Sequence, residues 1–151
     1  MLYSVIGYYS LILGLCFGLI LILFSVKNFQ NSKFDTKILS FTFLQFFFVV
    51  ISFLCLVASF ILSDFSNETV FNNSHTTKPL FYKIAGTWGN HEGSLLLWLF
   101  VLTLFILIFL LKSKNQPTKY KILTLVFQQI IIIGFFVFLI KTSNPFNFLF
   151  P

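Results

Sequence analysis

The sequence predicts an all-α integral membrane protein with four transmembrane helices. Both termini and a 30-residue outer loop are expected on one side of the bilayer. Three observations predict this. Of 151 residues, 58% are hydrophobic and only 9% charged, too few polar groups to clothe a soluble domain. Four apolar runs, at about 3–26, 38–62, 93–111 and 122–140, hold more than half of the chain. Finally, ten lysines against four acids, for a net charge of +6, sit mostly at the ends of those runs. A soluble globular enzyme is excluded, and the chain reads as a single membrane domain over 1–151.

Taken in order, the first run has no positive segment ahead of it and no small-x-small cleavage site after it, and Lys27 lies on its far side. It is expected to remain as a helix, not to be removed as a signal peptide. Gly7, Ser10, Gly14 and Gly18 recur along it at spacings of three, four and four, a stripe on which another backbone can approach closely. The connection KNFQNSKFDTK carries Lys27, Lys33, Asp35 and Lys37, for a net +2. The second run holds Gln45 and the fourth holds Gln128 and Gln129, amides that need a protein partner when removed from water. Even the shortest runs, at 19 residues, span about 28 Å as a helix, close to the ~30 Å hydrocarbon core. Between the third and fourth runs, KSKNQPTKYK carries +4, whereas residues 63–92 sum to −1. The positive-inside rule puts both lysine connections inside, with the loop and both termini outside.

A 30-residue connection far exceeds the usual ~2–8 residues between bundled helices, which makes it the functional suspect. Its first half, SDFSNETVFNNSHTTK, reads as polar and turn-forming. In the second half, Pro79 suits the first turn of a short interfacial helix. Leu80, Phe81, Ile84, Ala85 and Trp88 follow on one apolar face. Gly86, Gly89 and Gly93 then flank Trp88, His91 and Glu92. Glu92 and Ser94 are placed to serve the free N–H groups at the start of the third span. Trp88 and Trp98 bracket the junction and read as an aromatic belt or as a stacking surface. His91 can ligate iron or titrate near neutral pH.

Other chemistries fall away. The HEGSL string has no second histidine at zincin spacing, and GxSxG and P-loop motifs are absent, so no catalytic residue and no metal site are assigned. Cys16 and Cys55 fall inside apolar runs without a CxxC or CxxCH pattern and read as buried thiols. The lysines are not interleaved with aromatics on a soluble face, so nucleic acid is not an expected partner; the lipid bilayer is. NET at Asn67 and NNS at Asn72 are glycosylation sequons, meaningful only for a chain in the secretory pathway. Phe, Tyr, Met, Ile, Asn and Lys total 65 residues against 13 for Gly, Ala, Arg and Pro, the signature of AT-rich codons and of an organellar gene.

The loop and the C-terminal segment also carry a resemblance. The order SDF-S at Ser63 to Ser66, Tyr82-Lys83, the string WGNHEGSLLLW from Trp88 through Gly89, His91, Glu92, Gly93 and Ser94 to Trp98, and Thr142-Ser143-Asn144-Pro145-Phe146 resembles the CcmF family of cytochrome c maturation haem lyases. The match covers all four spans. Departures are Lys78-Pro79, where the family reads Leu-Pro, and Phe148, where it has an arginine.

The resemblance implies a subunit of the haem lyase that helps to deliver haem and attach it to apocytochrome c, with haem as the cofactor of the complex. It places cofactor contacts at His91, Trp88 and Trp98, and motif or partner positions at Tyr82, Lys83, Gly89, Glu92, Gly93, Ser94, Asn144 and Pro145. It also implies a haem chaperone, apocytochrome c and a further lyase fragment bearing the family's tryptophan-rich segment as partners. That segment lies downstream of the matched region, so the chain reads as the N-terminal piece of a split mitochondrial form. It would sit in the mitochondrial inner membrane, or in the bacterial inner membrane if the gene is not organellar, with the loop facing the intermembrane space. On this reading the chain alone is not catalytic. The rival from another class is a structural subunit of a large inner-membrane respiratory assembly, held by its Phe-rich helices. A transporter ranks third, because the spans carry no Asp, Glu, Lys, Arg or His in their interiors.

Overall fold

A computed structural model describes residues 1–31, 36–113 and 115–149. Lys33, Asp35 and Lys114, which contribute to the orientation argument, lie outside the described residues. Among the described residues six helices follow one another: α1 Leu2–Asn31, α2 Thr36–Ile61, α3 Glu68–Asn73, α4 Leu80–Gly86, α5 His91–Lys112 and α6 Thr118–Lys141. The four long helices are each long and apolar enough to cross a membrane. The helices α2, α5 and α6 start with polar residues ahead of their apolar runs, because leading N–H groups need oxygen acceptors, not burial.

The long helices form a ring in which α1 packs on α2 and α6, and α5 packs on the same two from the opposite corner. Large aliphatic side chains such as Leu11, Val49, Leu99 and Ile132 are fully buried between them. What distinguishes the interior is its small polar content. Ser10, Ser25, Thr42, Ser52, Ser59 and Thr103 are buried, whereas Phe43, Phe105 and Phe127 face outward. This is the arrangement expected where lipid surrounds the bundle, since outward phenylalanines cost nothing there and small residues let backbones approach. Several hydroxyls return a hydrogen bond to their own helix, as Thr42 does to the Ile38 carbonyl and Thr103 to that of Leu99.

The glycine and serine stripe of α1 is consumed inside this bundle. A Cβ on Gly7 would strike the Phe146 ring, and one on Gly14 the Phe136 ring. One on Gly18 would lie 2.6 Å from the amide nitrogens of both Gln45 and Gln129. Those two glutamines are fully buried, and their amides make no hydrogen bond among the described residues. Gln128 instead donates to the Leu102 carbonyl at 3.3 Å. Of the two cysteines, Cys55 is buried, but Cys16 is exposed on the outside of α1. The expectation that both thiols are buried fails there, because an apolar run surrounded by lipid has an outer face as apolar as its inner one.

The first half of the loop is not all turn. It contains α3, capped by Asn67, whose side-chain oxygen accepts from Val70 N at 3.1 Å while Glu68 occupies the first turn. Ahead of it, α2 ends with Ser63 at φ 54°, and Asp64 N bonds back to the Ser59 carbonyl at 2.9 Å. That is a Schellman-type stop using serine where glycine is usual. In the second half, Pro79 precedes α4 as its sequence suggests, but the helix closes at Gly86, so Trp88 lies beyond it. α4 packs on α2: Gly86 stands against Phe60, and Lys83 donates to Ser63 Oγ at 2.7 Å.

Candidate functional site

Three segments distant in sequence meet at one end of the bundle: the start of α1, the loop and residues 142–149. Asn67, fully buried, ties them together through its Nδ2, which donates to Ser4 Oγ at 3.1 Å and to the Pro145 carbonyl at 2.9 Å. Glu68 N donates to the Asn147 carbonyl at 2.9 Å, and Leu149 N to that of Ser66 at 3.0 Å. Phe146, only 2% exposed, fills the space left by Gly7. With its amide engaged on every side, Asn67 has no room for a glycan, which disposes of that sequon.

The Asp64 carboxylate receives the N-terminal ammonium and the Ser66 hydroxyl. Burial pushes this carboxyl up, but those hydrogen bonds outweigh burial and hold it below its usual value. Asn67 and Asp64 thus organise the site. The sequence marks Asn67 only as a sequon and Asp64 only within the SDF-S resemblance; the signal for the structural role of Asn67 is an Asn followed by Glu, a capped helix start.

The WGNHEGS segment is built around a second asparagine. Asn90 caps α5, its Oδ1 accepting from Gly93 N at 2.7 Å and its Nδ2 donating to the Gly86 and Thr87 carbonyls. The cap is therefore Asn90, not Glu92 or Ser94. Glu92 occupies the first turn, where the helix dipole favours it, and Ser94 Oγ bonds back to the Trp88 carbonyl at 2.7 Å and to the Asn90 carbonyl at 2.6 Å. Gly93 is required by close approach: a Cβ there would lie 1.6 Å from the Thr87 carbonyl oxygen. Gly89 is exposed, with only ordinary contact to the backbone of α4.

His91 and Trp98, seven residues apart on α5, share one face of the helix about two turns apart, and both are exposed. The His91 imidazole makes no hydrogen bond among the described residues and lies edge-on to Phe138 with ring centroids 6.5 Å apart. Beside that ring an apolar groove of about 340 Å³ runs between α5 and α6, lined by Leu95, Ile131, Gly134, Phe135 and Phe138. Glu92 points elsewhere, into a polar cleft shared with α3 and residues 142–147. Trp88 is 41% exposed at the junction. Tyr82 is exposed on α4, where Lys83 is tied to Ser63. Asn144 Oδ1 caps the following turn by accepting from Phe146 N at 3.0 Å. The predicted residues are thus divided: His91 meets Phe138 beside an apolar groove, Trp98 is exposed on the same face of α5, Glu92 and Asn144 line a polar cleft, and Gly93, Ser94 and Pro145 hold backbone in place.

For haem, the groups of this chain that could meet the cofactor are His91 and the apolar groove beside Phe138. The His91 ring meets Phe138, which lines an apolar, partly aromatic groove, and no cluster of three or more His, Cys, Asp or Glu able to hold a metal occurs among the described residues.

No family model matches the chain. It is 37% identical over 142 residues to the cytochrome c-type biogenesis protein ccl1 of Rhodobacter capsulatus, covering 93% of this chain and 22% of that protein. It is 36% identical over 148 residues to the cytochrome c-type biogenesis protein CcmF of Haemophilus influenzae, covering 97% of this chain and 23% of that protein. Among solved structures it is similar to the cytochrome c heme lyase CcmF, with a TM-score of 0.86 and 26% identity over 96% of this chain and 25% of that one. The chain therefore spans less than a quarter of the length of these curated relatives.

Proposed function

From the premise that this chain belongs, over that portion of their length, to the CcmF, Ccl1 and CycK family of cytochrome c-type biogenesis proteins, we propose that it is a subunit of a cytochrome c haem lyase. Its role is to form part of the face on which haem and apocytochrome c meet. The supporting observation is the placement of His91, an imidazole without a hydrogen bond among the described residues that lies edge-on to Phe138, a residue lining the groove between α5 and α6.

In this reading the groove beside Phe138 would hold an apolar part of the haem, and His91 would offer it a nitrogen. Trp98, two turns along the same face, supplies a stacking surface. Haem supplies the vinyl groups to which cytochrome thiols are joined; this chain positions and does not react. The wider complex provides the remaining lyase polypeptide with its tryptophan-rich segment, and a haem chaperone brings the cofactor. The loop end of the bundle faces the intermembrane space of mitochondria, or the periplasm for a bacterial gene, in keeping with the lysines at the opposite end.

The test is His91→Ala in the native host. Holocytochrome c should fall several-fold while the level of the chain in the membrane is unchanged. Normal holocytochrome at normal chain levels would remove His91 from haem handling.

A further inference from the structure

The polar cleft beside α3 is a different surface from the His91 groove. It has a volume of about 210 Å³ and is walled by Glu68, Thr69, Glu92, Ser143, Asn144 and Asn147, together with two further asparagines and a threonine. Three elements far apart in sequence converge on it, α3, the start of α5 and residues 142–147, and the bonds of Asn67 and Glu68 hold the first and last of these together. Thr69 and Ser143 are 4% and 7% exposed, and among the described residues neither hydroxyl has a hydrogen-bond partner. Neither carboxylate is in an ion pair among the described residues, and no lysine or histidine lines the cleft. In a chain of net charge +6 with four acidic residues, two of the four face this one space.

The chemistry selects a cation. Two carboxylates would repel a haem propionate, so the cleft is not an extension of the haem-facing surface. A bare divalent ion needs six to eight oxygens converging at about 2.3–2.6 Å, whereas this volume is that of several waters, at ~30 Å³ each. An ammonium or guanidinium on a flexible stem fits both the size and the donor set: it brings several N–H groups to carboxylate, amide and hydroxyl oxygens.

We propose that the cleft formed by Glu68, Glu92, Thr69 and Ser143 is a docking pocket for a lysine or arginine side chain of a partner polypeptide at the loop end of the bundle. This goes beyond the haem-lyase reading, since it requires only that a polypeptide reach this surface. It stands or falls separately from His91.

The probe is a dye-labelled Ac-Gly-Gly-Lys-Gly-Gly-amide peptide, titrated by fluorescence anisotropy against the full chain in nanodiscs of zwitterionic lipid. The expected result is binding at low salt that weakens at least tenfold in each of two comparisons: when the lysine is acetylated, and with the Glu68→Gln, Glu92→Gln double variant. Coupling the same peptide to the unmutated chain with a carbodiimide gives a readout independent of variant folding, and should join the lysine to Glu68 or Glu92. The proposal is overturned by absence of binding, by equal binding of the acetylated peptide or the double variant, by coupling only at other carboxylates, or by displacement of the peptide by micromolar Ca²⁺, which would make the cleft an ion site.

Discussion

Gly93 shows how much a single position can decide. A β-carbon there would collide with the Thr87 carbonyl oxygen, a backbone atom fixed by the Asn90 cap, and neither can retreat without opening the turn. At Gly18 the atoms in the way are the amide ends of two flexible glutamines. Gly93→Ala should therefore cost about 3 kcal/mol or more and loosen the loop, while Gly18→Ala should cost about 1 kcal/mol or less. Thermal unfolding of the two variants in the same detergent checks this, and equal losses would contradict the packing described. The glycine pattern was legible in the sequence, but the reason for Gly93 was not: no spacing rule shows which carbonyl a Cβ would meet. His91 was legible as a candidate because it is an imidazole in the outer loop at the edge of an apolar span. Its nearness to Phe138 and the groove depends on how α6 packs, which one-dimensional pattern does not encode.

At the scale of elements, the four spans follow from length and hydropathy, and the structure shifts their bounds by one to five residues, most at the end of α1, which runs on to Asn31. The short helix α3 did not follow. Six residues carry too little periodicity to be read, and its stability comes from Asn67 and from pairing with residues 147–149, contacts across nearly eighty positions of sequence. Asn67 is accordingly the joint between loop, α1 and the C-terminal segment. Asn67→Ala strands Ser4 and the Pro145 carbonyl without their partner and should destabilise this end by about 1–3 kcal/mol. Faster amide exchange over 66–73 and 144–149 would register the loss. Asn72→Ala, at an exposed position of the other sequon, serves as the control and should exchange like the unmodified chain. If both behave alike, Asn67 is not the joint.

For the whole molecule, the ring of four helices brings residues 1–10, the loop and residues 142–149 to one end and leaves the lysine connections at the other. Single cysteines at Asn72 and Asn115, with Cys16 and Cys55 replaced, should react with a membrane-impermeant maleimide from opposite faces of the membrane: Asn72 from the intermembrane-space or periplasmic side, Asn115 from the other. Labelling of both from one face would reject the four-span topology, and exchanged faces would reject the orientation. Opposed to the haem-lyase reading is a scaffold role in a respiratory assembly, which would use the outward phenylalanines and leave the loop end idle. The two are separated most directly by isolating the native complex in mild detergent, identifying its chains by mass spectrometry and recording its visible absorbance. The lyase reading predicts a companion polypeptide carrying the tryptophan-rich segment, together with b-type haem absorbance. Recovery with respiratory subunits, without that companion and without haem, would contradict it.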